Sequence, residues 1–162
     1  MSSSRPLVRT LVVPLPVEDA WAGLADVATW PRWAPHIRSV EVNPPGPVGR
    51  DTAGTFDLVG APSARFTMTD FAPPDHWTWQ GRFLWLTVDY DHRFAPVGGT
   101  DDDARGTEIA FVVTARGLGG RTLGSLFATA YARRLDAALP RLRAHLAGPN
   151  GAADPTDRTV TG

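Results

Sequence analysis

An α+β architecture, in which a strongly curved antiparallel sheet accompanies one long C-terminal helix, is implied by this chain of 162 residues. Three observations point to it. After a single early helical stretch come six short strand-like runs, divided by Pro- and Gly-rich punctuation. The links between them are short, which suits antiparallel neighbours, because a parallel crossover needs roughly a dozen residues or more. From position 123 the apolar spacing changes from two to three and four, the period of an amphipathic helix.

Residues 7–13, Leu-Val-Arg-Thr-Leu-Val-Val, are aliphatic and β-branched and are closed by Pro14 and Pro16, so they form the first strand. Pro16 suits the first turn of a helix, and Glu18 and Asp19 suit its positive end. Val17, Trp21, Leu24 and Ala28 then share one helix face, which assigns Trp21 to the core. Pro31 and Pro35 leave room for at most one short helical turn before a strand that starts near His36. Five further strands are expected at 52–59, 64–71, 77–84, 86–95 and 107–115, giving seven in all. In the final helix Leu126, Phe127, Ala130, Tyr131, Leu135, Leu139, Leu142 and Leu146 make the buried face. Arg133, Arg134, Arg141 and Arg143 fall mostly opposite, and Pro140 should kink or distort the helix. One domain over residues 6–147 accounts for the pattern, with 1–5 and the turn-forming, apolar-poor 148–162 as flexible tails.

Composition removes several function classes. Sixteen basic residues, all arginine, stand against 17 acidic ones, so there is no broad positive field for nucleic acid. The absence of cysteine excludes disulfides, thiolate nucleophiles and cysteine zinc sites. His36, His76, His92 and His145 show no HxH or HxxxH spacing, so no metal is assigned. No serine sits in a G-x-S-x-G context. The polar N-terminus lacks the apolar stretch of a signal peptide and nothing approaches the ~20 apolar residues of a membrane span, so a soluble cytoplasmic protein is expected.

Residues 86–94 read Leu-Thr-Val-Asp-Tyr-Asp-His-Arg-Phe. Alternation puts Leu86, Val88, Tyr90, His92 and Phe94 on one face, and the apolar members turn that face inward. The same projection turns His36, Arg38, Val40 and Val42 inward, with Phe56, Leu58, Phe66, Met68, Asp70, Trp77, Trp79, Phe83, Ile109, Phe111 and Val113. The helix adds Phe127 and Tyr131. Trp33, Phe56, Phe66, Met68, Trp79, Phe83, Phe94, Phe111, Phe127 and Tyr131 are therefore the candidate ligand contacts, and aromatic faces with sparse polar groups suit a flat conjugated molecule. Ordinary core packing is the alternative for each of them. His92 is the candidate general acid or base, since an imidazole titrates at ~6.5; the alternative is a structural histidine. Tyr90, two residues away, can stabilise an enolate or be a buried phenol with one partner. His36 and Arg38 can polarise an oxygen, or Arg38 can be solvated. Asp70 can orient His92 if buried beside it, or cap the turn that follows.

Several segments carry a family resemblance. Pro16-Val-Glu-Asp-Ala-Trp-Ala-Gly-Leu-Ala-Asp-Val followed by Trp30-Pro-Arg-Trp-Ala-Pro resembles the opening of the polyketide cyclase/dehydrase branch of the START-like (Bet v1-like, SRPBCC) superfamily. So do Asp70-Phe-Ala-Pro-Pro, Trp79-Gln-Gly, His92-Arg-Phe-Ala-Pro-Val, Gly106-Thr-Glu and Gly117-Leu-Gly-Gly. The resemblance implies a helix-grip fold, with a curved seven-stranded sheet wrapped around the C-terminal helix and a cavity between them. It also implies a cofactor-independent enzyme of secondary metabolism, such as antibiotic biosynthesis, that cyclises or dehydrates a polyketide-like substrate. In that role His92 and Tyr90 would handle a proton while Arg38 or His36 polarises an oxygen. A non-catalytic carrier of a quinone, lipid or polyketide is the second expectation, as monomer or homodimer.

Overall fold

The computed structural model describes residues 5–83, 86–98, 106–117 and 123–148. The expected tails lie almost wholly outside the described residues. Seven strands make one sheet: β1 (Leu7–Val13), β2 (Ile37–Asn43), β3 (Ala53–Leu58), β4 (Ala64–Ala72), β5 (His76–Phe83), β6 (Leu86–Val97) and β7 (Gly106–Gly117). Their order is β1-β7-β6-β5-β4-β3-β2 and every neighbouring pair is antiparallel. β2 to β7 are therefore the expected meander. β1 pairs with β7, Leu7 opposite Val113 and Val13 opposite Thr107, which completes a curled half-barrel.

Between β1 and β2 run α1 (Val17–Ala25), a 3-10 turn (Val27–Thr29) and α2 (Trp30–Trp33), and α3 (Leu123–Ala147) follows β7. α1 ends one turn earlier than its apolar spacing implied. Ala28 is consequently exposed, and Val27, 1% exposed, takes the buried position. Trp21 docks α1 on the sheet, its ring 4.7 Å from Trp77 and 5.2 Å from Phe94. α2 has Pro31 in its first turn, where the missing N–H costs nothing, and its Trp30 indole donates to the Leu24 carbonyl at 2.8 Å. α3 buries Leu135, Ala138, Leu139, Leu142 and Leu146 against β1, β7 and α2, and continues through an exposed Pro140. Arg9 on β1 donates to Asp136 on α3 at 2.6 Å, an exposed tie worth little by itself.

Two irregularities decide which side chains face inward. Register shifts occur between Ile37 and Ser39 in β2 and between Met68 and Asp70 in β4. A bulge inserts one residue, and every side chain beyond it changes face. Strict alternation carried Arg38 and Asp70 inward; both are on the outside. Ile37 is buried in place of Arg38, whose guanidinium donates to Asp57 at 3.1 Å. In β4 the inward series runs Phe66, Met68, Phe71, and Asp70 is exposed beside His76 at 2.9 Å.

Candidate functional site

A cavity of about 300 Å³ lies between the inner sheet face and α3. Its walls come from α2 (Trp30), β2 (Ile37), β3 (Phe56, Leu58), β4 (Ala64, Phe66), β5 (Trp79, Gly81), β6 (Leu86, Tyr90, His92) and α3 (Phe127, Ala130, Tyr131, Arg134), with His36 just before β2. The hollow exists partly because of Gly81. It faces the interior between Phe66 and Val88, and even a methyl there would come within 3.3 Å of the Tyr90 ring. Aromatic rings form one wall in series. Phe56 and Phe66 are 4.6 Å apart, Phe66 and Trp79 4.7 Å, Trp79 and His92 4.9 Å. On the same wall Tyr90, the register partner of Trp79, meets Tyr131 of α3 at 5.5 Å, and Tyr131 stacks on Phe127 at 5.8 Å.

His92 is 4% exposed and is surrounded by rings of Trp30, Trp77, Trp79 and Phe111. Burial drives its pKa down to about 3, with backbone groups of Trp77 and Tyr90 opposing weakly. His36 is lowered to about 4, mostly by burial and further by the charge of Arg134. Both imidazoles are therefore neutral at physiological pH. Nδ1 of each is buried without a hydrogen-bond partner. The two phenols keep partial exposure only because they face the hollow, and burial pushes both above the ordinary tyrosine range. Each stays protonated and can donate.

Of the catalytic candidates, Tyr90, His92 and His36 line one cavity, whereas Arg38 and Asp70 do not reach it. Phe56, Phe66, Trp79, Phe127 and Tyr131 line it as well. Trp33, Met68, Phe94 and Phe111 do not. Trp33 is 3% exposed behind Trp30, Met68 and Phe94 pack in the general core, and Phe111 sits under His92. Phe83 ends β5, with its side chain outside the described residues. Sequence reasoning missed Trp30 and Arg134. Arg134 was assigned to the outer face of the helix, yet it follows Tyr131 by three and Phe127 by seven, the spacing of one face. Among the described residues no cluster of three His, Cys, Asp or Glu groups suits a metal, and no helix is long and apolar enough to cross a membrane.

Several solved structures resemble the chain. The di-domain ARO/CYC BexL from the BE-7585A biosynthetic pathway matches with TM-score 0.67 and 16% identity, over 89% of this chain and 50% of that one. The chain thus spans about half the length of that two-domain protein. A hypothetical protein from Helicobacter pylori matches with TM-score 0.71 and 14% identity over 87% of both chains. Ara h 8.0201 matches with TM-score 0.66 and 12% identity, over 90% of this chain and 98% of that one. These likenesses show the Bet v1-like helix-grip fold. No curated protein matches the sequence. Residues 6–147 match the family described as polyketide cyclase/dehydrase and lipid transport, and to that family the chain belongs.

Proposed function

We propose that the protein binds a flat, largely hydrophobic, oxygen-bearing molecule of polyketide type in its cavity and promotes cyclisation or dehydration of it without a cofactor, as a single domain. One observation carries the reading: two phenols and two neutral imidazoles, Tyr90, Tyr131, His36 and His92, share with Arg134 a cavity that is mainly aromatic and aliphatic. At about 300 Å³ the space is at the lower end of ligand pockets, roughly 300–1,000 Å³, and suits a few fused rings.

The chemistry follows from the groups. An imidazole nitrogen takes the proton from a carbon next to a carbonyl, and the electron pair left behind moves onto the carbonyl oxygen, where a tyrosine hydroxyl donates a hydrogen bond. That carbon attacks a second carbonyl of the same chain, and the imidazolium returns its proton to the new alkoxide. In a dehydration the carbon between carbonyl and carbinol then loses its remaining proton to the imidazole, a C=C bond forms as the C–O bond breaks, and the imidazolium returns that proton to the departing hydroxyl, which leaves as water. A base lowered to about 3 is weak, so the imidazolium is tolerable only beside the oxyanion formed with it. Folding the substrate into a reactive conformer contributes the larger share.

The same weak basicity favours a second reading, a carrier that holds its ligand unchanged. His92→Phe and Tyr90→Phe separate the two. An enzyme loses roughly 10²-fold or more in turnover with affinity kept within a few-fold; a carrier changes only in affinity. Turnover unaffected by both variants would sink the catalytic reading.

A further inference from the structure

The cavity holds one formal charge that nothing in the described protein answers. Arg134 stands one turn along α3 from Tyr131, lines the cavity and is half-buried. Among the described residues it makes no ion pair: Asp136, two positions on, is taken by Arg9, and the cavity lining contains no Asp or Glu. The other arginine in the lining, Arg65, alternates with buried Ala64 and Phe66, so its exposed side chain lies on the outer side of β4. Arg134 is close enough to act on three cavity groups at once. Its charge disfavours a protonated His36 and eases both tyrosines toward the phenolate. A half-buried guanidinium without a partner is costly, and the wall around it rejects cations and welcomes an anion.

Resting on the reading that the cavity takes a flat hydrophobic molecule, we infer that this molecule is an acid, whose anionic oxygen docks on the Arg134 guanidinium beside His36 and Tyr131. Its rings lie along Phe56, Phe66 and Trp79. The guanidinium fork accepts a carboxylate or the enolate of a 1,3-dicarbonyl equally well, because both present oxygen lone pairs to paired N–H donors. The Tyr131 hydroxyl adds a third donor. Arg134 is thus a specificity residue: it selects which flat molecules enter and fixes which end points toward α3.

Two pairs of bicyclic probes test this on the full chain, followed by tryptophan fluorescence and calorimetry. Naphthalene-2-carboxylate is compared with naphthalene-2-carboxamide, and 2-hydroxy-1,4-naphthoquinone, an anion at neutral pH, with 2-methyl-1,4-naphthoquinone. The acid of at least one pair should bind roughly tenfold or more tighter than its neutral partner. Preference within the first pair identifies a carboxylate, within the second an enolate. Arg134→Gln should erase the preference by weakening the acids far more than their neutral partners, Arg134→Lys should keep part of it, and Arg133→Gln, an exposed neighbour, should have no effect. Equal binding within both pairs, or a preference that survives Arg134→Gln, overturns the inference and leaves the cavity reading standing. Failure of all four probes to bind removes the cavity reading and this inference with it. If Arg134→Gln does not fold by circular dichroism, salt decides on the unaltered protein. The acid's advantage should shrink in 1 M salt, by less than that of a surface pair because the guanidinium is half-buried, and an advantage undiminished there counts against the pairing.

Discussion

Trp77 and His92 are register partners on β5 and β6, and their rings stack 5.0 Å apart at 21°. A charged imidazole in that position would sit among indoles with Nδ1 unpaired, so the fold holds it neutral. This has a consequence for stability. In the unfolded chain the ring titrates at ~6.5, whereas in the folded protein it titrates at about 3. Between those values the unfolded state binds a proton that the folded state refuses. The contribution is therefore complete above pH ~6.5 and is lost as pH falls toward 3, with a slope of at most ~1.4 kcal/mol per pH unit. His36, lowered to about 4, adds a smaller part in the same direction because it is less buried. Asp70 and Asp136, also lowered, lose their contribution only as pH falls below the ordinary carboxylate value of 3.8, at the acid end of this window. Urea denaturation from pH 8 to 4.5 should show wild-type stability declining below 6.5, and His92→Phe should flatten the decline. A wild-type profile flat across that interval would contradict the assignment.

Gly81 is where the sheet leaves room for a ligand. Gly81→Val places a branched side chain into the hollow between Phe66 and Tyr90. The β-branched residue suits a strand, offsetting by up to ~1 kcal/mol the cost of crowding Tyr90. Affinity for a bicyclic probe should drop by at least tenfold, since two or more methyl-sized volumes of a small cavity are filled. A thermal melt should stay near that of wild type. Undiminished binding would mean that the ligand sits elsewhere.

Arg38 and Asp70 share one physical origin for their outward placement, and it gives a third prediction. Arg38→Ala should leave probe affinity and turnover unchanged and cost under ~1 kcal/mol, the value of an exposed pair with Asp57. Asp70→Asn should behave alike, losing only its exposed contact with His76. A tenfold loss of turnover in either variant, at unchanged stability, would restore these residues to the site.

These two positions also mark the limit of what a sequence reveals here. Strands, helices and their order were legible because Pro and Gly clusters punctuate period-two runs, and a long period-3.6 run follows. Tyr90 and His92 were legible because β6 alternates from Leu86 to Phe94, and the full ladder with β7 preserves that register. Arg38 and Asp70 were not, because a bulge has no composition of its own: one unpaired residue inverts the faces beyond it. The split between cavity lining and plain core was also hidden. Phe66 and Phe94 read identically along the chain, yet Phe66 lines the cavity beside the missing side chain of Gly81 and Phe94 does not line it. Arg134 carried a usable signal in its spacing from Phe127 and Tyr131, which its charge obscured.

Gly54 sets the position of the aromatic wall. It is the register partner of Phe66, and the Phe66 ring lies over the space where a Cβ would stand. The Glu41 carbonyl approaches from the β2 side closer than any Cβ tolerates, and backbone on both sides is fixed by ladder hydrogen bonds. Gly54→Ala must therefore part β2 from β3 or swing Phe66 into the cavity. The first route should cost about 1–3 kcal/mol in urea denaturation, the usual range for overpacking; the second should weaken probe binding with less loss of stability. A variant with unaltered midpoint and unaltered affinity would show that the wall tolerates a methyl group at no cost, and that the close approach of Gly54 does not fix Phe66.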